Sequence, residues 1–405
     1  MTRLANKPKI TILGSMSGTS CDALDSVTIE ITPFSIKKLS AFSSPIPNHM
    51  RRAVYRFDEQ NRKVSIKSLL ELNRDYSTWA AKALTKGIQN SNQRKPDLIS
   101  IHGQTIGHFP SQRGVGTTLQ LCDPTIISYE SGLTVASNFR SGDLASGGQG
   151  APLAPLFHQL LAHSSKTKHQ IFLNLGGISN VSVITGNRLI TSFDTGPANI
   201  LIDQATQIFT KGKKKYDADG KIAKIGKADF KAVKKLMRDP YFRKSPPKST
   251  GRDAFTMVRL RRHTRSRAAD LIATATEFTA YSVAAQIKKH GFSTKTTPRF
   301  DLIVSGGGAK NRYLLQRIGH FLPEAKIFTS QQRGVDPQDV EAMAFGYFGF
   351  LSLLGHSLGG SWTGGTTNAP GGEILPGKNW LHLLEKIRPF LKMGQSQMNH
   401  IEFDY

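Results

Sequence analysis

An apolar strand, a glycine-bearing turn and a second strand follow one another twice in this chain, and this repeat restricts the possible folds most strongly. The first copy covers residues 9–31 with Gly18 in its turn, and the second covers residues 170–184 with Gly177 in its turn. A third apolar run, at residues 300–304, also leads into glycines. Strands that end in small-residue turns in both halves of one chain predict a duplicated α/β fold with a cleft between the halves.

The length of the chain agrees with such a duplication. Its 405 residues are enough for two or three domains. We expect one domain over residues 1–165 and a second, closely packed on it, over residues 166–405. Apolar spacing at three and four residues predicts helices over 64–88 and 266–291. Residues 340–355 are apolar on nearly all sides, which indicates a buried helix.

Cysteine usage and hydropathy exclude several classes of protein. Cys21 and Cys122 form no CxxC pair and no Cys/His cluster, so we expect neither a disulfide framework nor a structural zinc site. The N-terminal residues lack the apolar core of a signal peptide. The longest strongly apolar stretch, residues 342–355, is shorter than the roughly 20 residues of a membrane helix. We expect a cytoplasmic protein without a membrane-spanning segment.

The net charge of +25 first suggests a polyanionic partner, but its distribution weakens that interpretation. Residues 211–267 contain 20 Lys and Arg against 5 Asp, so more than half of the excess lies in one segment. Aromatic residues are few there, and no nucleic-acid-binding motif is present. The spacing favours a solvated, lysine-rich helical face and argues against nucleic acid as a partner. A polyanion site and general attraction of phosphorylated small molecules remain as alternatives.

The first glycine-bearing turn has the residues of a phosphate site. Glycine lets the backbone near Gly14 and Gly18 approach a phosphate closely, and the hydroxyl of Thr19 adds a donor. Asp22 and Asp25 place carboxylates beside that turn, where a magnesium ion that keeps its waters would bridge to the phosphates.

Two more segments carry candidate chemistry. Asp194 ends an apolar run and precedes Thr-Gly-Pro, which fits a general base held on a rigid turn, although an ordinary turn or N-cap residue fits too. The SGGG string at 305–308 follows an apolar strand and would let a nucleotide lie against bare backbone. Three glycine-bearing turns in a duplicated fold match the ATPase class of actin, sugar kinases and heat-shock chaperones.

A closer resemblance lies in eight strings that occur in order over most of the chain. Together they resemble the signature of the anhydro-N-acetylmuramic acid kinases. The strings are MSGTSCDALD (16–25), HGQTIGH (102–108), FRSGDLASGGQGAPLAPLFH (139–158), NLGGISN (174–180), FDTGPAN (193–199), PPKSTGR (246–252), SGGGAKN (305–311) and GVDPQDVEAMAFG (334–346).

The resemblance implies an α/β fold of two ribonuclease-H-like (actin-like ATPase) domains, with ATP and a sugar bound in the cleft between them. It also implies a reaction in which ATP and water convert 1,6-anhydro-N-acetylmuramic acid into N-acetylmuramic acid 6-phosphate and ADP, as in cell-wall recycling. ATP and Mg²⁺ are the implied cofactors, and no direct magnesium ligand is assigned. Asp194 matches the base of the family.

The remaining site residues follow from the same strings. The residues implied to bind the nucleotide are Gly18, Thr19, Ser20, Cys21, Asp22, Ala23, Leu24, Asp25, Gly176, Gly177, Gly306, Gly307, Gly308 and Asn311. The residues implied to bind the sugar are His102, Gln104, Arg140, Asp143, Gln149, Gly150, Asn199 and Glu341. In the PPKSTGR string, Lys248 and Arg252 are expected to reach the sugar or the phosphates.

Three positions depart from the family pattern. Ala23 stands where Gly is usual, which is mild if the backbone there keeps a negative φ. Asn138 replaces a usual Asp, which removes one charge near Arg140. Cys122 and Asp123 stand where Gly-Asn or Gly-Asp is commoner.

Two other functions stay open at this point. One is a kinase of the same fold that acts on another anhydro or amino sugar. The other is a nucleotide-binding or chaperone-like protein with a basic patch and no sugar chemistry. The oligomeric state is also open, a homodimer included.

Overall fold

The computed structural model of the chain divides it into two compact units. It describes residues 8–18, 21–58, 63–91, 95–110, 114–163, 167–186, 188–251, 254–292, 298–366, 369–392 and 402–404. The first unit consists of residues 1–164 and 339–405, and the second of residues 165–338. The first boundary lies next to the predicted one. The second predicted domain, 166–405, differs from the structure because residues 339–405 return to the first unit.

In its described residues, the first unit, up to the boundary, combines helices with the strands of a large sheet and of a separate two-stranded sheet formed by its fifth and sixth strands. Its elements are β1 (Ile10–Met16), β2 (Ala23–Ile31), β3 (Ser35–Pro45), α1 (Asn48–Asp58), α2 (Ile66–Asn90), β4 (Leu98–Ile101), β5 (Gln104–Phe109), β6 (Thr117–Leu121), α3 (Pro124–Ser131), β7 (Thr134–Ser137), α4 (Ser141–Ala145) and α5 (Pro155–His163).

In the described part of the second unit, three strands are followed by five α-helices and then by a strand, a helix and a last strand, after which the chain returns to the first unit. The second unit contains β8 (His169–Leu175), β9 (Ile178–Thr185), β10 (Arg188–Pro197), α6 (Asn199–Phe209), α7 (Lys221–Ile225), α8 (Phe230–Leu236), α9 (Met257–Arg261), α10 (Ala268–His290), β11 (Phe300–Ser305), α11 (Arg312–Phe321) and β12 (Ala325–Thr329). The returning segment contains α12 (Asp339–Leu353), β13 (Glu373–Leu375), α13 (Trp380–Ile387) and β14 (Glu402–Asp404).

Both units contain the same arrangement of five strands: β7-β4-β1-β2-β3 in the first unit corresponds to β12-β11-β8-β9-β10 in the second. Among the described residues, the first sheet has the order β13-β7-β4-β1-β2-β3-β14 and the second has the order β10-β9-β8-β11-β12. In each unit the first three strands form an antiparallel meander, and two further strands extend it in parallel from the first strand. The predicted duplication is therefore confirmed, and each unit is ribonuclease-H-like, as in the actin-like ATPases.

Helix α12 explains why the end of the chain belongs to the first unit. It packs on β1, β2 and β4, and its side chains from Val340 to Leu351 are buried, except for the partly exposed Glu341. The helix approaches β1 so closely that a Cβ at Gly14 would overlap the carbonyl of Ala342 and the backbone of Gly346. A helix that is apolar on nearly all sides must be enclosed. Sequence spacing predicts the helix correctly but not the unit that encloses it.

Polar anchors hold the returning segment further along. The Asn379 side-chain oxygen accepts hydrogen bonds from the amide and hydroxyl of Thr134, at 2.8 and 3.0 Å, and its amide donates to the Asp97 carbonyl at 2.7 Å. Lys386 pairs with the buried carboxylate of Asp97 at 2.6 Å. β13 and β14 add edge strands to the same sheet.

The lysine-rich segment of the second unit is exposed, as predicted. The exposed lysines are Lys211, Lys213, Lys214, Lys215, Lys221, Lys224, Lys227, Lys231, Lys234 and Lys235. Their apolar neighbours Ala223, Val233 and Leu236 face the core of the second unit. Within the part of the chain that the structure describes, no helix has both the length and the apolar character needed to cross a membrane.

Candidate functional site

In the first unit, the parallel strands β1, β4 and β7 bring three sequence-distant segments to one edge of the sheet. Ser15 lies opposite Ile101, and Ser100 lies opposite Ala136, so the residues after each strand are neighbours. The amide of His102 donates to the Ser15 carbonyl at 3.0 Å. Ligand sites in α/β proteins lie outside the carboxyl ends of parallel strands. Motifs far apart in the sequence therefore meet at this edge.

The predicted phosphate turn is shorter than its motif, because β1 runs to Met16 and β2 begins at Ala23. The turn is closed by a hydrogen bond from the Cys21 amide to the Gly18 carbonyl at 3.0 Å. A Cβ on Gly18 would meet no atom of the described residues within 4 Å. The chain itself thus does not require glycine here, which fits a backbone kept bare for a ligand. Thr19 and Ser20 lie outside the described residues.

Other members of the same motif serve the core. The side chains of Cys21 and Leu24 are fully buried in the first unit's apolar cluster, so they support the turn rather than face a ligand. Cys21 adopts a φ of 50°, in the left-handed region. The φ of Ala23 lies outside the left-handed region, so alanine in place of the usual glycine costs no backbone strain.

Asp22 and Asp25 differ in their surroundings. Asp22 is exposed and pairs with Arg51. Asp25 is half-buried and accepts a hydrogen bond from the Ser43 hydroxyl at 2.6 Å. Burial raises the pKa of Asp25 above its ordinary value; the Ser43 hydrogen bond opposes the shift, and the negative charges of Asp339 and Asp22 add to it. A cation beside Asp25 would relieve this excess of negative charge.

His102 and Arg140 form a fixed pair. The Arg140 Nε donates to His102 Nε2 at 2.9 Å, and His102 Nδ1 lies 3.0 Å from the Gly103 carbonyl, which requires the neutral tautomer protonated at Nδ1. Burial, and then the charge of Arg140, hold the pKa of His102 well below its ordinary value. His102 is therefore neutral, and its geometry fits a support for the Arg140 guanidinium better than a proton-transfer group. Arg140 also donates to the Gly150 carbonyl at 2.9 Å.

Asp143 lies in the short helix α4, directly before the loop at residues 146–150 that is predicted to bind the sugar. It is 1% exposed, and its Oδ2 accepts from the Gly150 amide at 2.7 Å while its Oδ1 accepts from the Thr363 hydroxyl at 2.6 Å. Through these hydrogen bonds the carboxylate helps to fix the backbone conformation of residues 146–150. The backbone amide of Gln149 donates to the Thr363 carbonyl at 2.8 Å. The side chain of Gln149 is partly exposed on this loop.

The other predicted residues of the first unit also lie near this edge. The buried Gln104 accepts a hydrogen bond from the Ser17 hydroxyl at 2.6 Å, which ties the phosphate turn to the strand β5. Glu341 is partly exposed in the first turn of α12, directly before the residue that packs on Gly14. Asn138 has a φ of 55° and donates to Glu373 at 2.8 Å, a contact that an aspartate would turn into a repulsion.

In the second unit, the parallel pairing of β8 with β11 joins the two glycine turns. Ser305 lies opposite Asn174, so residues 176–177 and 306–308 leave the sheet side by side. Gly306 has a φ of 77°, and a Cβ there would overlap Asn174 and Leu175. A Cβ on Gly307 would meet none of the described atoms within 4 Å. Gly307 therefore resembles Gly18, since its bare backbone is not required by packing.

The two predicted asparagines hold these turns in shape. Asn199, the first residue of α6, donates its side-chain amide to the carbonyls of Leu175 and Gly176, at 2.8 and 2.9 Å. Asn311 caps α11 by accepting from the Leu314 amide at 3.0 Å and is 7% exposed. The structure thus gives both residues a scaffold role beside the glycines.

Asp194 lies at the same edge of the second sheet as these glycine turns, because β10 runs in the direction of β8. A bulge between Asp194 and Gly196 interrupts the pairing with β9. The Asp194 Oδ2 accepts from the amide of Thr250 at 2.8 Å. Its amide donates to the Lys248 carbonyl at 3.1 Å, and its carbonyl accepts from the Tyr241 hydroxyl at 2.6 Å. Asp194 is thus a partly exposed carboxylate on a rigid support.

Sequence reasoning missed several supports of this site. Thr250 and Lys248 lie in the PPKSTGR string, but Lys248 is 6% exposed and its ammonium binds Gln286 within the unit, not a ligand at the surface. Arg252 lies outside the described residues. Tyr241 and Thr363 stand in segments without a recognised motif, and only the tertiary contacts reveal them.

Within the described ranges, no cluster of three His, Cys, Asp or Glu could hold a metal.

Comparisons with known proteins agree on one family. The model of the family described as anhydro-N-acetylmuramic acid kinase matches residues 10–375. The anhydro-N-acetylmuramic acid kinase of Shewanella sp. (strain ANA-3) is 37% identical over 355 residues, which cover 85% of this chain and 92% of that protein. The enzyme of the same name from Photobacterium profundum is 34% identical over 345 residues, covering 84% and 91%.

Among solved structures, the similarity is weaker. Component A of (R)-2-hydroxyglutaryl-CoA dehydratase from Acidaminococcus fermentans aligns with a TM-score of 0.42 and 12% identity, over 84% of this chain and 98% of that chain. A ROK family glucokinase from Streptomyces griseus, solved with glucose and AMPPNP, aligns with a TM-score of 0.38 and 12% identity, over 83% and 98%. The fold assignment rests on the strand order, not on these scores.

Proposed function

The chain belongs to the anhydro-N-acetylmuramic acid kinase family, and on that basis we propose that it opens 1,6-anhydro-N-acetylmuramic acid with water and phosphorylates its O6. ATP is the phosphoryl donor, and the products are N-acetylmuramic acid 6-phosphate and ADP. The supporting observation is the carboxylate of Asp194, held by the Thr250 amide at the sheet edge that also carries the two glycine turns. This function belongs to cell-wall recycling, and we place it in the cytoplasm, where ATP is available.

In this mechanism Asp194 takes a proton from the attacking water. The water oxygen bonds to the anomeric carbon while the bond from that carbon to O6 breaks, and O6 takes the γ-phosphoryl group of ATP. A positioned general base contributes about 10²- to 10⁴-fold in rate. The hydrogen bond from Thr250 and the support of the Lys248 and Tyr241 contacts keep the carboxylate in one orientation, which lowers the cost of reaching the reactive geometry.

Backbone groups do most of the nucleotide binding in this proposal. The bare turns at Gly18 and Gly307 let phosphate or adenosine groups approach the chain closely. Mg²⁺ would be held by Asp25, with Asp22 beside it, because these hard oxygen donors suit the ion and one or two carboxylates plus phosphates are its usual ligands. When bound, the ion supplies positive charge to the phosphates.

The loop at residues 146–150 and the pair of His102 and Arg140 form the proposed sugar site. The guanidinium of Arg140 carries the charge there, because His102 is neutral. The substrate carries a carboxylate, and arginine is the side chain best suited to bind one. Gln149 and Gly150 contact the sugar in this proposal. Asp143 does not contact it but holds the loop in shape by accepting a hydrogen bond from the Gly150 amide. Glu341 completes the proposed set of sugar contacts, and the buried Gln104 supports the site through its hydrogen bond with the Ser17 hydroxyl.

The test is product analysis by mass spectrometry. We expect incubation with ATP, Mg²⁺ and 1,6-anhydro-N-acetylmuramic acid to give a product heavier by one water and one phosphoryl group, with one ADP per product. N-acetylmuramic acid without the anhydro bond is the control for an ordinary sugar kinase. Turnover of a different anhydro or amino sugar, with none of the named one, would assign the protein to another substrate. ATP binding without turnover of any sugar in the panel would contradict the kinase proposal altogether.

A further inference from the structure

Lys248 has an environment that the proposed reaction does not explain. Its side chain is 6% exposed, and its ammonium donates to Gln286 Oε1 at 2.5 Å. The Nζ lies 4.7 Å from the ring centre of Tyr241 and 5.8 Å from that of Phe193. Burying a lysine ammonium costs free energy unless its charge is compensated, so we expect this side chain to have a function. Gln286 in turn donates to the Phe242 carbonyl at 3.2 Å.

The main chain around Lys248 holds Asp194. The Lys248 carbonyl accepts from the Asp194 amide, and Thr250, two residues later, donates to the Asp194 carboxylate. Tyr241, whose ring lies under the ammonium, donates its hydroxyl to the Asp194 carbonyl. Residues 241–250 therefore bind Asp194 three times. The Lys248 side chain joins this segment to α10 through Gln286.

The charges that face the ammonium are mostly positive. Lys289 faces it from α10, and Lys244 faces it from the turn at residues 240–244. His290, also on α10, is uncharged at neutral pH, because burial and then the charges of Lys248 and Lys289 lower its pKa to about 4. Asp194, on β10, is the carboxylate that attracts it. Tyr241 stays a neutral phenol, because burial and the charge of Asp194 raise its pKa. The charge of Lys248 is thus coupled to the carboxylate that it helps to hold.

We propose that Lys248 is a positioning residue for Asp194. The protonated side chain of Lys248 holds residues 241–250 against β10, so turnover falls when Lys248 loses its proton. The proposal rests on the proposed function, with Asp194 as the base. A neutral amine would lose its attraction to the Tyr241 ring and to Asp194, and its hydrogen bond to Gln286 would weaken. The segment that carries the Thr250 amide would then be held less firmly.

The sign of the pH dependence follows from the surroundings of Lys248. Burial, followed by the charge of Lys289, lowers its pKa to about 8, while Asp194 opposes that shift. The protonated form is therefore present below about pH 8 and is lost above it. We expect kcat to decline on the alkaline side with a midpoint near that value.

Three variants test the proposal in kcat–pH profiles measured from about pH 6 to about pH 10. Lys248→Met keeps the length of the side chain but not the charge, and we expect kcat to fall about tenfold or more at neutral pH with ATP affinity unchanged and no alkaline decline. Lys248→Arg stays charged throughout, so the decline should disappear from this range. Gln286→Glu places a carboxylate at the ammonium, so the decline should move to higher pH by about one unit or more. Lys235→Met, on the exposed face of α8, is the matched control and should behave as the wild type.

The outcomes separate this proposal from the proposed function. An alkaline decline that stays in place in Lys248→Arg and Gln286→Glu would overturn the positioning role, whatever the size of the loss in kcat. Absence of sugar turnover in the wild type would contradict the proposed function instead. The Lys248 titration is then still measurable by the ¹³Cε chemical shift, assigned by its absence in Lys248→Arg. A titration near pH 8 that moves upward in Gln286→Glu supports the charge coupling, and one that stays near the ordinary lysine value contradicts it.

Discussion

Asp194 lies near the end of β10, where its carboxylate accepts a hydrogen bond from the Thr250 amide and the residue is partly open to solvent. Asparagine at this position keeps the shape and the acceptor oxygen but cannot take a proton at neutral pH. We expect Asp194→Asn to lower kcat by roughly 10²-fold or more, with nucleotide affinity and the unfolding temperature nearly unchanged. Steady-state kinetics, calorimetry of ATP binding and thermal unfolding measure these three quantities.

The matched control for this prediction is Asp75→Asn. Asp75 is exposed in α2 and pairs with its neighbour Arg74, so the same change of side chain there should leave kcat within about twofold. If Asp194→Asn keeps more than about a tenth of the wild-type kcat, another group is the base.

Gly18 offers a separate residue-level test. A Cβ there meets no atom of the part of the chain that the structure describes within 4 Å, and the φ of Gly18 lies outside the left-handed region, so valine should not disturb folding. It would occupy the space proposed for phosphate. We expect Gly18→Val to weaken ATP binding about tenfold or more with an unchanged unfolding temperature, measured by calorimetry and thermal unfolding. Unchanged affinity in the folded variant would remove this turn from the nucleotide site.

At the scale of elements, the glycine-rich segment 357–366 supports the proposed sugar loop. The Thr363 hydroxyl donates to Asp143, its carbonyl binds the Gln149 amide, and the Trp362 indole donates to the Pro152 carbonyl at 3.1 Å. Valine at 363 has the same shape without the hydroxyl, and losing a partner of a buried carboxylate costs about 1–3 kcal/mol. We expect Thr363→Val to raise the KM for the sugar about tenfold, with the KM for ATP within about twofold.

Thr363→Ser is the control, because it keeps the hydroxyl and should stay close to the wild type in both constants. Equal increases in the two KM values of Thr363→Val would indicate a general loss of structure. An unchanged KM for the sugar would mean that the shape of the loop does not affect sugar binding.

At the scale of the whole molecule, the return of the chain predicts unequal behaviour of two fragments. The second unit, residues 165–338, is continuous and has its own core. Residues 1–164 lack α12, which covers β1, β2 and β4. We expect the fragment 165–338 to unfold cooperatively on heating, and the fragment 1–164 to show no cooperative transition. Circular dichroism on heating measures both.

Adding a separate peptide that carries residues 339–392 is the control for the second fragment. It should restore a cooperative transition, because it supplies α12 and the anchors Asn379 and Lys386. Cooperative unfolding of residues 1–164 alone would contradict the assignment of α12 to the core of that unit.

The candidate site is only partly predictable from the sequence. Motifs single out Asp194, Gly18 and Gly307 as candidates, because bare backbone and a lone acid are properties of the residue types themselves. The motifs also lead us to expect that His102 and Asp143 touch the sugar, and their burial instead favours supporting roles for both. Whether a polar side chain faces a ligand or a neighbouring loop depends on contacts with residues far away in the chain, and spacing along the sequence does not contain that information.

Local patterns in the sequence are enough to identify the duplicated α/β fold, the long helices and the family, since hydrophobic period, glycine-bearing turns and motif order can all be read without knowing which segments touch. Three other facts follow from long-range contacts alone: residues 339–405 complete the first unit, Lys248 is buried beside Asp194, and Thr363 supports Asp143. Each of them rests on pairing or packing between segments distant in sequence. The parallel strands bring such segments together, and which ones meet depends on strand order rather than on any single stretch of residues.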